Sequence, residues 1–295
     1  MERRELAYFL SVAEHEGING AAAALGVAQP TISQALRGLE RELGVQLFVR
    51  VGRGMVLSAA GRSLVGPARK ILRDITAVQD MLGALGGGLT GHLDISAFPA
   101  LAPEVVPLVS EFRRAYPDVV VGFGEMVDES TATALIRDGH SEFVVAHLPI
   151  DDPRLEVVEL GRQEYWLVYP PDTILPEGSI PLSDLPDIPM VFAPQGPSVV
   201  DEIQEAIRGA GVRLHNSVLV DHREARIPMV LAGLGGTIIE RSQAEAVADR
   251  AVVRSVQPPI TRSFGLAFDP ATLSPVGQAF AELVRGRIVG GEPEN

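Results

Sequence analysis

Ala21-Ala22-Ala23-Ala24-Leu25-Gly26-Val27-Ala28-Gln29-Pro30-Thr31-Ile32-Ser33 decides how this chain folds. Ala21 to Leu25 is strong helix-forming sequence. Gly26 can take the left-handed conformation that stops a helix. Pro30 suits the first turn of a second helix, where its missing N–H costs nothing. That helix runs to Leu43, and Gly44 ends it. Ile32, Leu36, Leu39 and Leu43 are spaced 4, 3 and 4, one apolar stripe. At about 100° per residue, Pro30, Ser33, Gln34, Arg37 and Arg41 fall on the opposite face. Hydroxyl, amide and guanidinium groups on an exposed face can read a DNA major groove. An ordinary helical hairpin with a solvated polar face satisfies the same periodicity.

The flanks extend the reading. Leu6, Phe9, Leu10 and Ala13 make an amphipathic first helix from about Arg3 to Glu16, and Gly17 breaks it. Val45 to Arg50 reads as a strand, Val51-Gly52-Arg53-Gly54 as a turn and Met55-Val56-Leu57 as a returning strand. Three helices and a hairpin make a winged helix-turn-helix over residues 1–58. Arg50 and Arg53 sit on the wing, in reach of phosphates or a minor groove. Ser58 is an N-cap for a long helix reaching about Leu85. Leu64, Ala68, Ile71, Ile75, Val78 and Leu82 alternate by 4 and 3, a heptad seam. The seam predicts that two copies pair through residues 58–85; packing onto the helix's own domain competes with it. Pro67 is expected to interrupt and kink the first turns. Residues 59–90 thus form a linker, closed by Gly86 to Gly91, where four of six residues are glycine.

Beyond residue 91 strands and helices alternate. Strands are expected at His92–Phe98, Asp118–Glu125, Glu142–Leu148, Gln163–Tyr169, Pro189–Ala193, near Asn216–Val220, Gly236–Glu240 and Phe264–Phe268. Helices are expected at Pro103–Tyr116 with Val106, Val109 and Phe112 inward, and at Asp128–Asp138, Ser198–Ala210 and Ser274 to about Ile288. Such alternation implies mostly parallel sheets covered by helices. Residues 91–295 read as an α/β domain of two Rossmann-like subdomains, resembling periplasmic binding proteins. One takes about 91–161 with 266–295, the other about 162–265. Ligands in such folds sit beyond the carboxyl ends of strands, in a cleft near helix N-termini.

Charge divides along the same line. The whole chain carries −13 over 295 residues. Residues 1–90 hold 10 basic and 8 acidic residues, and the remainder 15 and 30, so the acidity belongs to the C-terminal part. A mildly basic front can meet phosphates while an acidic body is repelled by them. No apolar run approaches the roughly 18 residues of a membrane helix, and the start leads into a helix rather than a signal peptide. Cysteine is absent, which excludes disulfides and thiolate chemistry and fits a reducing cytoplasm.

Leu6-Ala7-Tyr8-Phe9-Leu10-Ser11-Val12-Ala13-Glu14, Ala21 to Leu25, Val27 to Ser33, Leu39 to Phe48 and Leu57-Ser58-Ala59-Ala60-Gly61 together resemble the LysR-type transcriptional regulators. Phe112 to Pro117 and Ala232-Gly233-Leu234-Gly235-Gly236 extend the resemblance more loosely. It implies a sequence-specific DNA-binding regulator, paired through its long helix and usually tetrameric, whose fit to DNA is altered by a small molecule in the C-terminal cleft. Carried over, Gln29, Pro30, Thr31, Ser33, Gln34 and Arg37 become base or phosphate contacts, with Arg50 and Arg53 on the wing.

The departures are informative. Ala28 stands where the family usually has Ser, and Gly17 and Gly20 where Ser and Arg or Lys are common. Fewer contacts imply weaker binding per subunit and dependence on two half-sites about 34 Å apart. Family members often place Ser or Thr just after the first effector-domain strand to bind a carboxylate; here Phe98 and Ala100 stand there. Ser96 and Ser198 remain as hydroxyl donors, and Glu125, Met126, His147, Gly196, Pro197 and Thr237 lie near strand ends or helix starts. A more apolar pocket is expected, for an effector with an apolar or aromatic part.

The six histidines, His15, His92, His140, His147, His215 and His222, show no zinc-ligand spacing. No nucleophile motif or phosphate-binding lysine motif is present, so neither a catalytic role nor a cofactor is expected. The competing function is an α/β solute-binding or catalytic protein using its N-terminal helices only to oligomerise.

Overall fold

The computed structural model describes residues 1–51, 54–83, 88–192, 199–220 and 222–290. The N-terminal head comprises α1 (Arg3–Glu14), α2 (Ile18–Leu25), α3 (Gln29–Leu43), β1 (Phe48–Val51) and β2 (Gly54–Leu57), followed by α4 (Ala59–Gly83). Gly26 and Gly44 end α2 and α3 at φ 65° and 70°, the left-handed region glycine enters without penalty. Leu6, Phe9, Val12, Ala21, Ile32, Leu36, Leu39, Leu47 and Phe48 form the core, joined by Val65 and Ala68 of α4. Burying one such large side chain contributes about 2 kcal/mol, whereas propensity contributes a few tenths per residue. Tertiary packing therefore holds these short helices.

Three details differ from the sequence reading. Leu43 is 39% exposed, because the last turn of α3 overhangs the core. The first helix stops at Glu14, and Glu16 takes a φ of 51° at the turn. The helix α4 runs through Pro67 rather than being interrupted there. Leu64, Ala68 and Ile71, half of the heptad seam, pack against the head, while Val78 is 51% exposed. Gly86 and Gly87 of the expected hinge lie outside the described residues.

The rest continues with β3 (Gly91–Ala97), α5 (Ala102–Ala115), β4 (Val119–Glu125), a 3-10 turn, α6 (Ala132–Arg137), β5 (Phe143–His147) and the long β6 (Glu156–Tyr169). Then come β7 (Ile180–Pro181), β8 (Met190–Phe192), α7 (Val199–Gly209), β9 (Asn216–Leu219), α8 (Arg223–Leu231), β10 (Thr237–Glu240) and α9 (Arg241–Glu245). The chain finishes with β11 (Val252–Arg254), β12 (Val256–Gln257), β13 (Ile260–Phe268) and α10 (Pro275–Gly290).

The chain forms two compact units, Met1–Ala146 with Ile150–Val158 and Leu266–Asn295, and His147–Pro149 with Glu159–Gly265. In the first, β3 pairs in parallel with β4 on one side and β5 on the other. The C-terminal helix α10 returns to this unit, where Phe280 stacks edge-on against Phe112 and Phe143 at 5.1 Å. In α5 the buried residues are Val105, Leu108 and Phe112, and Val106 is 54% exposed. The expected inward stripe was therefore one residue out of phase at its start. In the second unit β6 pairs antiparallel with both β10 and β11, so antiparallel pairs accompany the expected parallel ones. The short β8 and β9 pair in parallel.

Candidate nucleic-acid interface

The second helix of the helix-turn-helix buries Ile32, Leu36 and Leu39 and leaves Gln29, Pro30, Thr31, Gln34, Arg37 and Arg41 exposed, with Ser33 half-buried. This is the arrangement a groove-reading helix requires: an apolar stripe for the core and a polar stripe for base edges. Ala28 occupies the N-cap and supplies no side-chain cap. The first-turn N–H groups of α3 thus keep their capacity to donate to a phosphate. Arg41 Nε donates to the Arg37 carbonyl at 3.1 Å, and the Arg37 side chain is exposed in the middle of the helix.

The wing is tied to this helix. In the β1–β2 hairpin Arg50 faces Met55 across the ladder, and its side chain is exposed. Arg53 lies outside the described residues. Glu40 Oε1 accepts from the Leu47 backbone N–H at 2.8 Å and stands 3.5 Å from that of Phe48, joining α3 to the start of β1. The Met55 N–H donates to the Glu16 carbonyl at 3.3 Å, anchoring the other wing strand to the end of α1. Ser58 caps α4: its Oγ accepts from the Gly61 N–H at 3.0 Å and donates to the Gln46 carbonyl at 2.6 Å. The Glu40 tie was not among the residues singled out from sequence. A carboxylate on the half-buried flank of the recognition helix is its only local signal.

The residues expected to bind an effector fall into two groups, one in each unit. In the first, Ser96 is buried and its Oγ lies 2.5 Å from that of Ser141, one hydrogen bond shared by the two hydroxyls. Phe98 packs against Met126, Ile136, Val144 and Ala146. Ala100 is 3% exposed, and Glu125 is exposed at the end of β4. In the second, Thr237 is fully buried and donates to the Val191 carbonyl at 2.9 Å. His147 is buried, with Nε2 3.0 Å from Gln163 Oε1 and 3.1 Å from the Tyr165 hydroxyl, which itself donates to Gln163 Oε1 at 3.0 Å. Gln163 and Tyr165 escaped the sequence reading although their period-2 spacing on β6 marks an inward face. Gly196, Pro197 and Ser198 lie outside the described residues. Among the described residues, no group of three or more His, Asp or Glu could hold a metal ion, and no helix is long and apolar enough to cross a membrane.

The family model described as bacterial regulatory helix-turn-helix protein, lysR family, matches residues 3–62, and that of the LysR substrate binding domain matches residues 86–288. The regulator TcbR of Pseudomonas sp. (strain P51) is 29% identical over 97% of this chain and 98% of its own. A full-length OxyR variant from Pseudomonas aeruginosa superposes with a TM-score of 0.72 at 23% identity, covering 97% of this chain and 95% of that one. The regulator CbnR in complex with its target DNA gives 0.67 at 24% identity, covering 97% and 99%.

Proposed function

Since the chain belongs to the LysR family of transcriptional regulators, we propose that its α3 face and wing read operator DNA through Gln29, Pro30, Thr31, Ser33, Gln34, Arg37, Arg50 and Arg53. The chain is a DNA-binding regulator with an effector-binding C-terminal domain. Its partners are double-stranded DNA, a small effector and further copies of itself. We read it as acting by binding rather than by catalysis, in the cytoplasm with the DNA it binds.

One observation carries the DNA assignment: the polar stripe of α3 is exposed along its length, while the opposite stripe is the centre of the head core. The test is a gel-shift titration with operator DNA recovered by genomic footprinting, comparing one half-site with two spaced about 34 Å apart. The expected result is much tighter binding to the pair. Equal affinity for single and paired half-sites overturns the dependence on pairing.

The effector carries an apolar or aromatic part. The hydroxyls of Ser96 and Thr237 are hydrogen-bonded to internal partners, and Phe98 and Ala100 replace the family's frequent Ser or Thr. Calorimetry against a panel of aromatic carboxylates and small dicarboxylates tests this. Tight binding confined to the dicarboxylates refutes it.

A further inference from the structure

The helix α4 is expected to connect the head with the effector domain. Its second to fourth turns do more than connect. Gly66, Arg69 and Arg73 share one face of the helix, three and four residues apart. Opposite that face lies the turn that ends α6, Arg137-Asp138-Gly139-His140.

The approach is backbone to backbone. A Cβ on Gly66 would overlap the Arg137 carbonyl oxygen and would lie 3.4 Å from the Asp138 Cα. The opposing position is also glycine: Gly139 has φ +67°, and a Cβ there would lie 3.1 Å from the Arg69 Cβ and 3.3 Å from the Gly66 carbonyl oxygen. Two glycines facing each other leave no room for a side chain between the helix and the turn.

Arginines close the contact on the carbonyls of the turn that follows α6. Arg69 Nη1 donates to the Asp138 carbonyl at 2.9 Å, and Arg73 Nη1 to the Gly139 carbonyl at 3.1 Å. The other terminal nitrogen of Arg69 donates to Glu14 Oε1 at 3.0 Å, on α1 of the head. One guanidinium, its side chain only 11% exposed, therefore binds the head, the linker helix and the effector domain together. Beside this contact opens a cavity of about 890 Å³, lined among others by Arg62, Lys70, Arg137, His140 and Arg154. The seat is thus narrow, with unfilled space next to it.

We propose that the Gly66–Arg69–Arg73 face of α4 is an intrachain docking surface for the turn at residues 137–140, and that this seat sets the orientation in which the head is presented to DNA. The proposal rests on the regulator reading. A head held at one angle loses little orientational freedom on binding two half-sites, whereas a loose head must be ordered at the moment of binding. The seat also lies between the head and the domain that senses the effector. A shift of α6 reaches α1 through Arg69 without passing along the residues before Gly91.

The test uses the full-length chain. Gly66→Leu drives a side chain into the Arg137 carbonyl and should unseat the turn. Hydrogen exchange at the amides of residues 138–140, which are bonded to carbonyls of α6, is expected to quicken about tenfold. Affinity for a single half-site, which uses only the head's own surface, is expected to stay within about twofold. Affinity for paired half-sites is expected to fall about fivefold. Unchanged exchange and unchanged paired-site affinity in a folded Gly66→Leu protein overturn the proposal.

Should the wedge unfold the protein, a second variant reads the same contact. Arg73→Ala adds no bulk and removes the bond to the Gly139 carbonyl. Faster exchange at residues 138–140 together with weaker paired-site binding supports the proposal, and no change in either refutes it. Loss of all DNA binding by the unaltered protein is a separate result. It removes the regulator reading and leaves the exchange measurements to judge the contact.

Discussion

Glu40 on the recognition helix accepts the backbone N–H of Leu47 at 2.8 Å. This bond sets where the wing begins relative to the helix that reads the groove. Glu40→Ala leaves the Leu47 amide without its acceptor and should cost about 2 kcal/mol, the scale of a hydrogen bond to a charged group. Glu40→Gln keeps a carbonyl acceptor and should lose less. Thermal melts of the two variants, read beside their operator affinity, check this. Equal Tm values for both variants and the unaltered protein would remove the tie from the account of the interface.

Arg37 and Arg50 should separate in the kind of loss they cause. Arg37 lies mid-helix on the exposed stripe, so Arg37→Ala is expected to cost about 1–3 kcal/mol per half-site and to relax preference at one base position. Arg50 lies on the wing, where contact is to phosphates or the minor groove. Arg50→Ala is expected to weaken all sequences alike and to lower the salt slope of binding by about 1 per subunit. Titrations at three salt concentrations on cognate and scrambled DNA distinguish the two patterns.

Much of the head can be read from residue order because its determinants are local. Gly26 and Gly44 stop helices by a backbone conformation few other residues adopt, and the 4–3 spacing of Ile32, Leu36 and Leu39 marks a buried stripe at any helix position. The phase of α5 is less legible: Val105, Leu108 and Phe112 satisfy helical spacing as well as Val106, Val109 and Phe112 do. Only the neighbouring strands and Phe280 decide between them. The direction of β6 against β10 and β11 has no local signature, since an inward strand face looks the same in either orientation. Ser96 and Thr237 were legible as buried strand residues with hydroxyls, but not the partners bonded to those hydroxyls. Ser141 and the Val191 carbonyl are 45 and 46 positions away.

Glu142 should make stability depend on pH. Its side chain is 2% exposed, and burial raises its pKa above the ordinary carboxylate value, against the lowering effect of Ser274 and the Arg73 cation. It accepts from the Ser274 N–H at 2.6 Å and from the Ser274 Oγ at 3.1 Å, at the start of α10. A raised folded pKa means that the folded state binds the proton more tightly than the unfolded state. This group's contribution is then favourable at low pH and is lost as pH rises from the ordinary value through the raised one. Glu142→Gln removes the titration. Its Tm relative to the unaltered protein should climb as pH is raised from about 4.5 towards neutrality. A difference in Tm that stays flat across that range would rule the effect out.

Gly61 should prove as necessary to DNA binding as the residues that face the DNA. It lies in the first turn of α4, where a Cβ would overlap the Leu47 carbonyl oxygen and come within 2.9 Å of the Leu57 side chain. The same N–H that Gly61 gives to Ser58 Oγ closes the cap of α4. Residue 61 is therefore pressed against the start of β1 while its amide fixes the helix start. Gly61→Ala favours the helix by propensity, about 1 kcal/mol at an exposed interior site. Here the methyl group meets backbone that is already held by Glu40 and by the Ser58 N–H bonded to the Leu47 carbonyl at 2.9 Å. Overpacking of this kind costs about 1–3 kcal/mol, so the clash outweighs the propensity gain. The expected outcome is a lower Tm and weaker operator binding, with the effector domain's own ligand affinity unchanged in calorimetry. A Gly61→Ala protein with raised Tm would show that β1 can move away from α4, and that the wing is less firmly held than the Glu40 bond implies.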